Sequence, residues 1–143
     1  MRNLFLAGLV FMLSSCSSKI PPVVQPATDF PVAVSFGSVC CGTSSSDFLK
    51  NFTNEFKNKV GLEITAEIAA GCGKEGEFVI LFHLPTNRTA DNAKFVAELE
   101  TLVKNTDEKN KNLSSSSGGM QVLYNVKAAD YSNCRLGIKK WVL

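Results

Sequence analysis

The chain has 143 residues, 45% of them hydrophobic, and a net charge of +2. That length suits one domain of ordinary size with a real hydrophobic core. Its charges are interspersed with no long basic run, so there is no electrostatic footprint for nucleic acid, and no nucleic-acid partner is expected.

In chain order, the first landmark is a cationic start (Met1, Arg2, Asn3) followed by an apolar run from Leu4 to Leu13. Charged, then apolar, then small is the order of a secretory signal. Ten apolar residues are too few to span a hydrocarbon layer of about 30 Å, which takes roughly 20. The run ends in Leu13-Ser14-Ser15-Cys16. A leucine, two small residues and a cysteine resemble the lipobox of bacterial lipoproteins. The resemblance implies cleavage before Cys16, a diacylglycerol thioether on its sulfur, and acylation of the new amine, including palmitate. It also implies anchoring in the cell envelope, at the outer membrane because Ser17 and Ser18 rather than aspartate follow the cysteine. The only cofactor implied is that covalent lipid. Residues 1–15 are therefore read as signal peptide and 16–29 as lipidated cysteine and tether. Three prolines at 21, 22 and 26 fix φ and remove backbone donors, which favours an extended spacer. Residues 30–143 are read as a single domain.

Val32, Val34 and Phe36 alternate with Ala33 and Ser35, a strand pattern. Ser44 and Asp47 have the spacing of a capping box, and Phe48, Leu49, Phe52 and Phe56 then recur at helical spacing until Gly61. Alternation resumes from Leu62 to Ala70, with Glu63 and Glu67 on polar positions that read as a solvated face rather than an acid/base pair. Gly71-Cys72-Gly73-Lys74-Glu75-Gly76 spells G-x-G-x-x-G, but it joins this strand to another, Phe78 to Leu84. Without a following helix no amides converge on a pyrophosphate, so the cluster reads as a hairpin loop, with Lys74 and Glu75 as its candidate ligand contacts.

Asn87 or Thr89 is placed to cap a second helix carrying Phe95, Val96, Leu99, Leu102 and Val103 on one face. Asn112 to Gly119, with four consecutive serines, reads as a surface loop. Val122, Tyr124 and Val126 mark another strand, and the apolar tail with Ile138, Trp141 and Val142 predicts an extra edge strand or a segment folded onto the sheet.

The order strand, helix, strand, strand, helix, strand predicts an α+β domain, ferredoxin-like, with an antiparallel sheet and both helices on one face. The second face would present Val79, Leu81, His83 and Leu123. Unless the tail with Trp141 covers it, that open face predicts a protein partner or a homodimer.

Beyond Cys16 lie Cys40, Cys41, Cys72 and Cys134. In an exported domain these are disulfide candidates with three possible full pairings. The expected pairing joins Cys134 to Cys40 or Cys41, with Cys72 taking the other, and the two neighbours pointing apart. Thiolate metal sites usually carry paired C-x-x-C or C-x-x-H spacings, and none occurs. No metal ligand set and no recognisable catalytic constellation emerges, because the sole histidine, His83, lacks a G-x-S-x-G partner. The expected role is a non-catalytic one in binding or assembly. The alternative is a thiol-dependent or metal-binding periplasmic protein centred on Cys40, Cys41, Cys72 and His83.

Overall fold

A computed structural model describes residues 29–38, 40–113 and 117–143. Leu13, Ser14, Ser15, Cys16 and the tether up to residue 28 lie outside the described residues. The elements are β1 (Phe30–Ser38), α1 (Asp47–Val60), β2 (Thr65–Ala70), β3 (Phe78–His83), α2 (Thr89–Leu113), β4 (Ser117–Val126), a 3₁₀ turn (Ala128–Tyr131) and β5 (Ile138–Trp141). The strands form one sheet in the order β4-β1-β3-β2-β5, with every neighbouring pair antiparallel. The protein is thus α+β, with a five-stranded antiparallel sheet and two helices.

Strand β3 lies in the middle of the sheet, and its composition shows it. Val79, Ile80, Leu81 and Phe82 are all buried, a continuous apolar run of the kind a strand covered on both faces requires. In β1, Val32, Val34 and Phe36 face the helices, whereas Ala33 faces the opposite side. Leu62 and Ile64, read as part of a strand, precede β2 but are buried all the same.

Both helices pack on the face carrying Val32, Val34, Ile80 and Phe82. Helix α1 buries Leu49 and Phe56, and Gly61 closes it with φ 65° while its N–H donates to the Lys57 carbonyl at 2.8 Å. The capping box expected from Ser44 and Asp47 does not form. Instead the Asp47 N–H donates to Ser45 Oγ at 3.1 Å, and Ser44 Oγ accepts from Asn110 Nδ2 at 3.2 Å, tying the start of α1 to α2.

In α2 the apolar stripe holds Phe95, Leu99 and Val103, all buried. Phe95 is ringed by aromatics, with centroids 5.3 Å from Phe52, 5.3 Å from Phe56 and 5.5 Å from Phe82. The helix runs to Leu113 and β4 begins at Ser117, so the expected loop at 112–119 is corrected at both ends. One reason is Asp107. Its buried carboxylate accepts from the Met120 N–H at 2.8 Å and pairs with Lys111 Nζ at 2.5 Å, fastening the helix to the new strand. Replacing Asp107 with alanine strands the Met120 N–H and is expected to cost about 1–3 kcal/mol in denaturant unfolding, with Asp107→Asn costing less because an amide oxygen still accepts. Gly118 is required by the same join, since a Cβ there would overlap the Ser38 backbone at the β1/β4 irregularity.

The sheet's second face is covered, by a different segment from the one expected. Strands β4 and β5 occupy opposite edges, so the connecting residues 127–137 must cross the sheet. Ala128, Tyr131 and Cys134 on that crossing pack with Ala33, Ala69, Val79 and Leu81, and the first three of these four sheet residues are no more than 5% exposed while Leu81 is fully buried. That face is therefore closed at its centre, and Leu123 and His83 remain half-exposed beside it. Trp141 points the other way, onto the helix face, where its ring meets Phe82 edge-on at 6.3 Å and Lys50 Nζ lies 5.5 Å from its centroid.

Candidate functional site

Strands β1 and β2 are both antiparallel to β3, so they run in the same direction and finish at the same end of the sheet. Cys40 and Cys41 follow β1, Cys72 follows β2, and Cys134 lies four residues before β5. The topology thus gathers all four cysteines of the domain at one end.

Cys72 and Cys134 are joined, with S–S 2.07 Å and a sequence separation of 62. Backbone hydrogen bonds explain this choice of partners. Arg135 N–H donates to the Gly71 carbonyl and Leu136 N–H to the Ala70 carbonyl, each at 3.0 Å, while Ala70 N–H donates to Gly137 at 3.2 Å. These bonds lay the turn before β5 along the end of β2 and bring Cys134 against Cys72. The expected link from Cys134 to Cys40 or Cys41 is corrected accordingly. The cysteines do converge at one end of the sheet, but β5 adds to β2, the strand that Cys72 follows.

Cys40 and Cys41 are free and exposed, and their sulfurs lie 2.9 Å apart, with the Cys41 thiol donating to Cys40. The expectation that they point apart is also corrected. Cys41 has φ 66° and Gly42 φ 101°, a left-handed turn that folds the two side chains together. Ser38 Oγ braces it by donating to the Gly42 carbonyl at 2.6 Å. The Cys40 thiol is held above its ordinary range, first by its hydrogen bond with Cys41, then by desolvation and by the negative charges of Cys41 and Glu75. The Cys40 sulfur is therefore a thiol at neutral pH in the main, and thiolate chemistry there strengthens as pH rises.

Lys74 and Glu75 sit in the β2–β3 loop, which is closed by Cys72 N–H donating to the Glu77 carbonyl at 2.8 Å. Lys74 lines an open depression of about 400 Å³ with Gly71, Cys72, Gly73, Asn133 and Arg135. Glu75 is not among its lining residues; its N–H donates to the Glu77 carboxylate at 2.9 Å. Arg135 donates to the Gly73 carbonyl at 3.3 Å, so the depression carries two cations where the sequence suggested one. Nothing in the loop pattern pointed to Arg135 or Asn133; only their adjacency to Cys134 placed them, once its partner was known.

His83 is at the opposite end of β3, paired across from Thr65, with Nε2 3.4 Å from Glu67 Oε1 and its ring against Phe30. Five strand residues, roughly 17 Å, separate it from the end where Cys72 lies. The structure does not bring His83 to the cysteines, and Cys72 is already bonded. Among the described residues no group of three or more His, Cys, Asp or Glu is arranged to hold a metal ion. Nor is any helix among them long and apolar enough to cross a membrane.

Set against protein-family models, curated proteins and solved structures, the chain gives no match.

Proposed function

We propose that the protein is a lipid-anchored lipoprotein of the bacterial cell envelope, sorted to the outer membrane, whose α+β domain has a non-catalytic role in binding or assembly. The observation that carries this reading is Leu13-Ser14-Ser15-Cys16 at the end of an apolar run. The lipid on Cys16 is the anchor; burying acyl chains contributes about 0.8 kcal/mol per CH₂, so two or three chains hold almost permanently. The Cys72–Cys134 disulfide supports export, because such bonds persist in oxidising compartments. On this reading the domain is ferredoxin-like with an added strand, which the chain order from β1 to β4 and the sheet order β4-β1-β3-β2 support. A protein partner or second copy would meet the second sheet face at its margin, where Leu123 and His83 are half-exposed, since Val79 and Leu81 are buried.

Replacing Cys16 with alanine is expected to abolish lipidation. In a Gram-negative host, the variant should either lose its place in the membrane fraction or accumulate with residues 1–15 attached, as read by detergent partition and intact mass. Membrane retention and a mature mass identical to the parent's would overturn the reading.

A second reading, a thiol-dependent protein, is favoured by one observation: the free sulfurs of Cys40 and Cys41 lie 2.9 Å apart.

A further inference from the structure

We propose that Cys40 and Cys41 are a reversible dithiol–disulfide couple, a redox-modification site separate from the structural Cys72–Cys134 bridge, that exchanges with small disulfides such as oxidised glutathione.

Four observations converge on it. The two sulfurs are 2.9 Å apart, so shortening to a bond of about 2.05 Å takes less than about 1 Å of movement. Both residues are exposed, which gives a reagent access. The left-handed turn at Cys41 and Gly42, braced by Ser38 Oγ, already holds the side chains on one side of the backbone. Cys72 and Cys134 are bonded to each other, which leaves Cys40 and Cys41 as each other's available partner among the described residues.

Sequence adjacency sets the character of the bond. Consecutive Cα atoms across a trans peptide are about 3.8 Å apart, shorter than the roughly 4.4–6.8 Å that most disulfides span. A ring closed over one peptide is strained, and strained, exposed disulfides are the readily reduced ones. The site therefore opens and closes under conditions that leave Cys72–Cys134 intact.

The exchange balances without further reagents. One thiolate of the pair attacks a sulfur of the small disulfide, forming a mixed disulfide and expelling one thiolate of the reagent. The second cysteine, losing its proton, displaces the other half as a second thiolate. Overall, two cysteine thiols and one disulfide become the Cys40–Cys41 bond and two small-molecule thiols, which carry away both electrons and both protons. The step needs only the pair and the reagent, so it stands or falls separately from the lipid at Cys16.

The test equilibrates the detergent-purified full protein with graded ratios of reduced to oxidised glutathione, blocks remaining thiols with an alkylating agent, and weighs the tryptic peptides. Cleavage after Lys19 and Lys50 puts Cys40 and Cys41 on one peptide, residues 20–50. The expected result is an unalkylated peptide two hydrogens lighter than the dithiol form under oxidising ratios. It should convert to the doubly alkylated form at a reductant level at least about tenfold below that which opens Cys72–Cys134. Cys40→Ser removes the resolving thiol and should trap glutathione on Cys41. The proposal is overturned by a doubly alkylated peptide at every ratio, by disulfide-linked dimers, by crosslinks from this peptide to Cys72 or Cys134, or by the absence of a trapped adduct in Cys40→Ser.

Discussion

Replacing Cys72 and Cys134 together with alanine is expected to destabilise the domain by about 4 kcal/mol, lowering its melting temperature by roughly 15 °C. The magnitude follows from the sequence separation of 62 that the bond spans, a loop whose closure removes chain entropy from the unfolded state. The location adds to it. Cys134 lies on the segment that covers Ala33, Val79 and Leu81, so the bond holds the lid of the second core as well as a loop. Removing both cysteines avoids leaving a lone thiol to recombine with Cys40 or Cys41. Urea or thermal unfolding of the double variant beside the parent reads the effect. A loss under about 1 kcal/mol would mean that the backbone bonds from Arg135 and Leu136 to the end of β2 secure the segment unaided.

Phe95→Ala is expected to cost about 3–5 kcal/mol, comparable with the loss of the disulfide but through a different mechanism. Phe95 is fully buried where α1, α2 and β3 meet, touching Phe52 and Phe56 of one helix and Phe82 of the central strand. Truncation removes the transfer free energy of the ring, leaves a cavity that three fixed aromatics cannot collapse to fill, and breaks two edge-on contacts. Phe48→Ala supplies the comparison. It stands at the margin of the same cluster, half-buried, and should lose clearly less. Equal denaturant midpoints for the two variants would show that the centre of the core is not where the geometry puts it.

How much of this was legible beforehand depends on whether the determining contact was local. The phenylalanine stripe of α1, the alternation in β1 and β2, and the unbroken apolar run of β3 each mark an element by its own period, and each element is present. The last strand was also foreseeable from its apolar residues, but its position was not. Nothing within Ile138 to Trp141 says that it pairs with β2, and the disulfide follows from that pairing rather than from cysteine spacing. The same gap explains the mistaken cap at α1. Ser44 has the right spacing for Asp47, yet it bonds to Asn110, a partner 66 residues away. Asp107 drew no attention in the sequence, because only the strand lying against the helix makes its carboxylate a fastening. The left-handed turn that draws Cys40 and Cys41 together carried a partial signal in Gly42, but a glycine after two cysteines does not say which way their sulfurs swing.

The chain enters the sheet at Phe30, beside His83 and opposite Val126, and the sulfur atoms lie at the far end of β1. Nine strand residues separate the two ends, roughly 30 Å. If the proposed lipid on Cys16 is the anchor, the sulfur-bearing tip is the end of β1 farthest from the point of attachment to the domain, and His83 lies at the attached end.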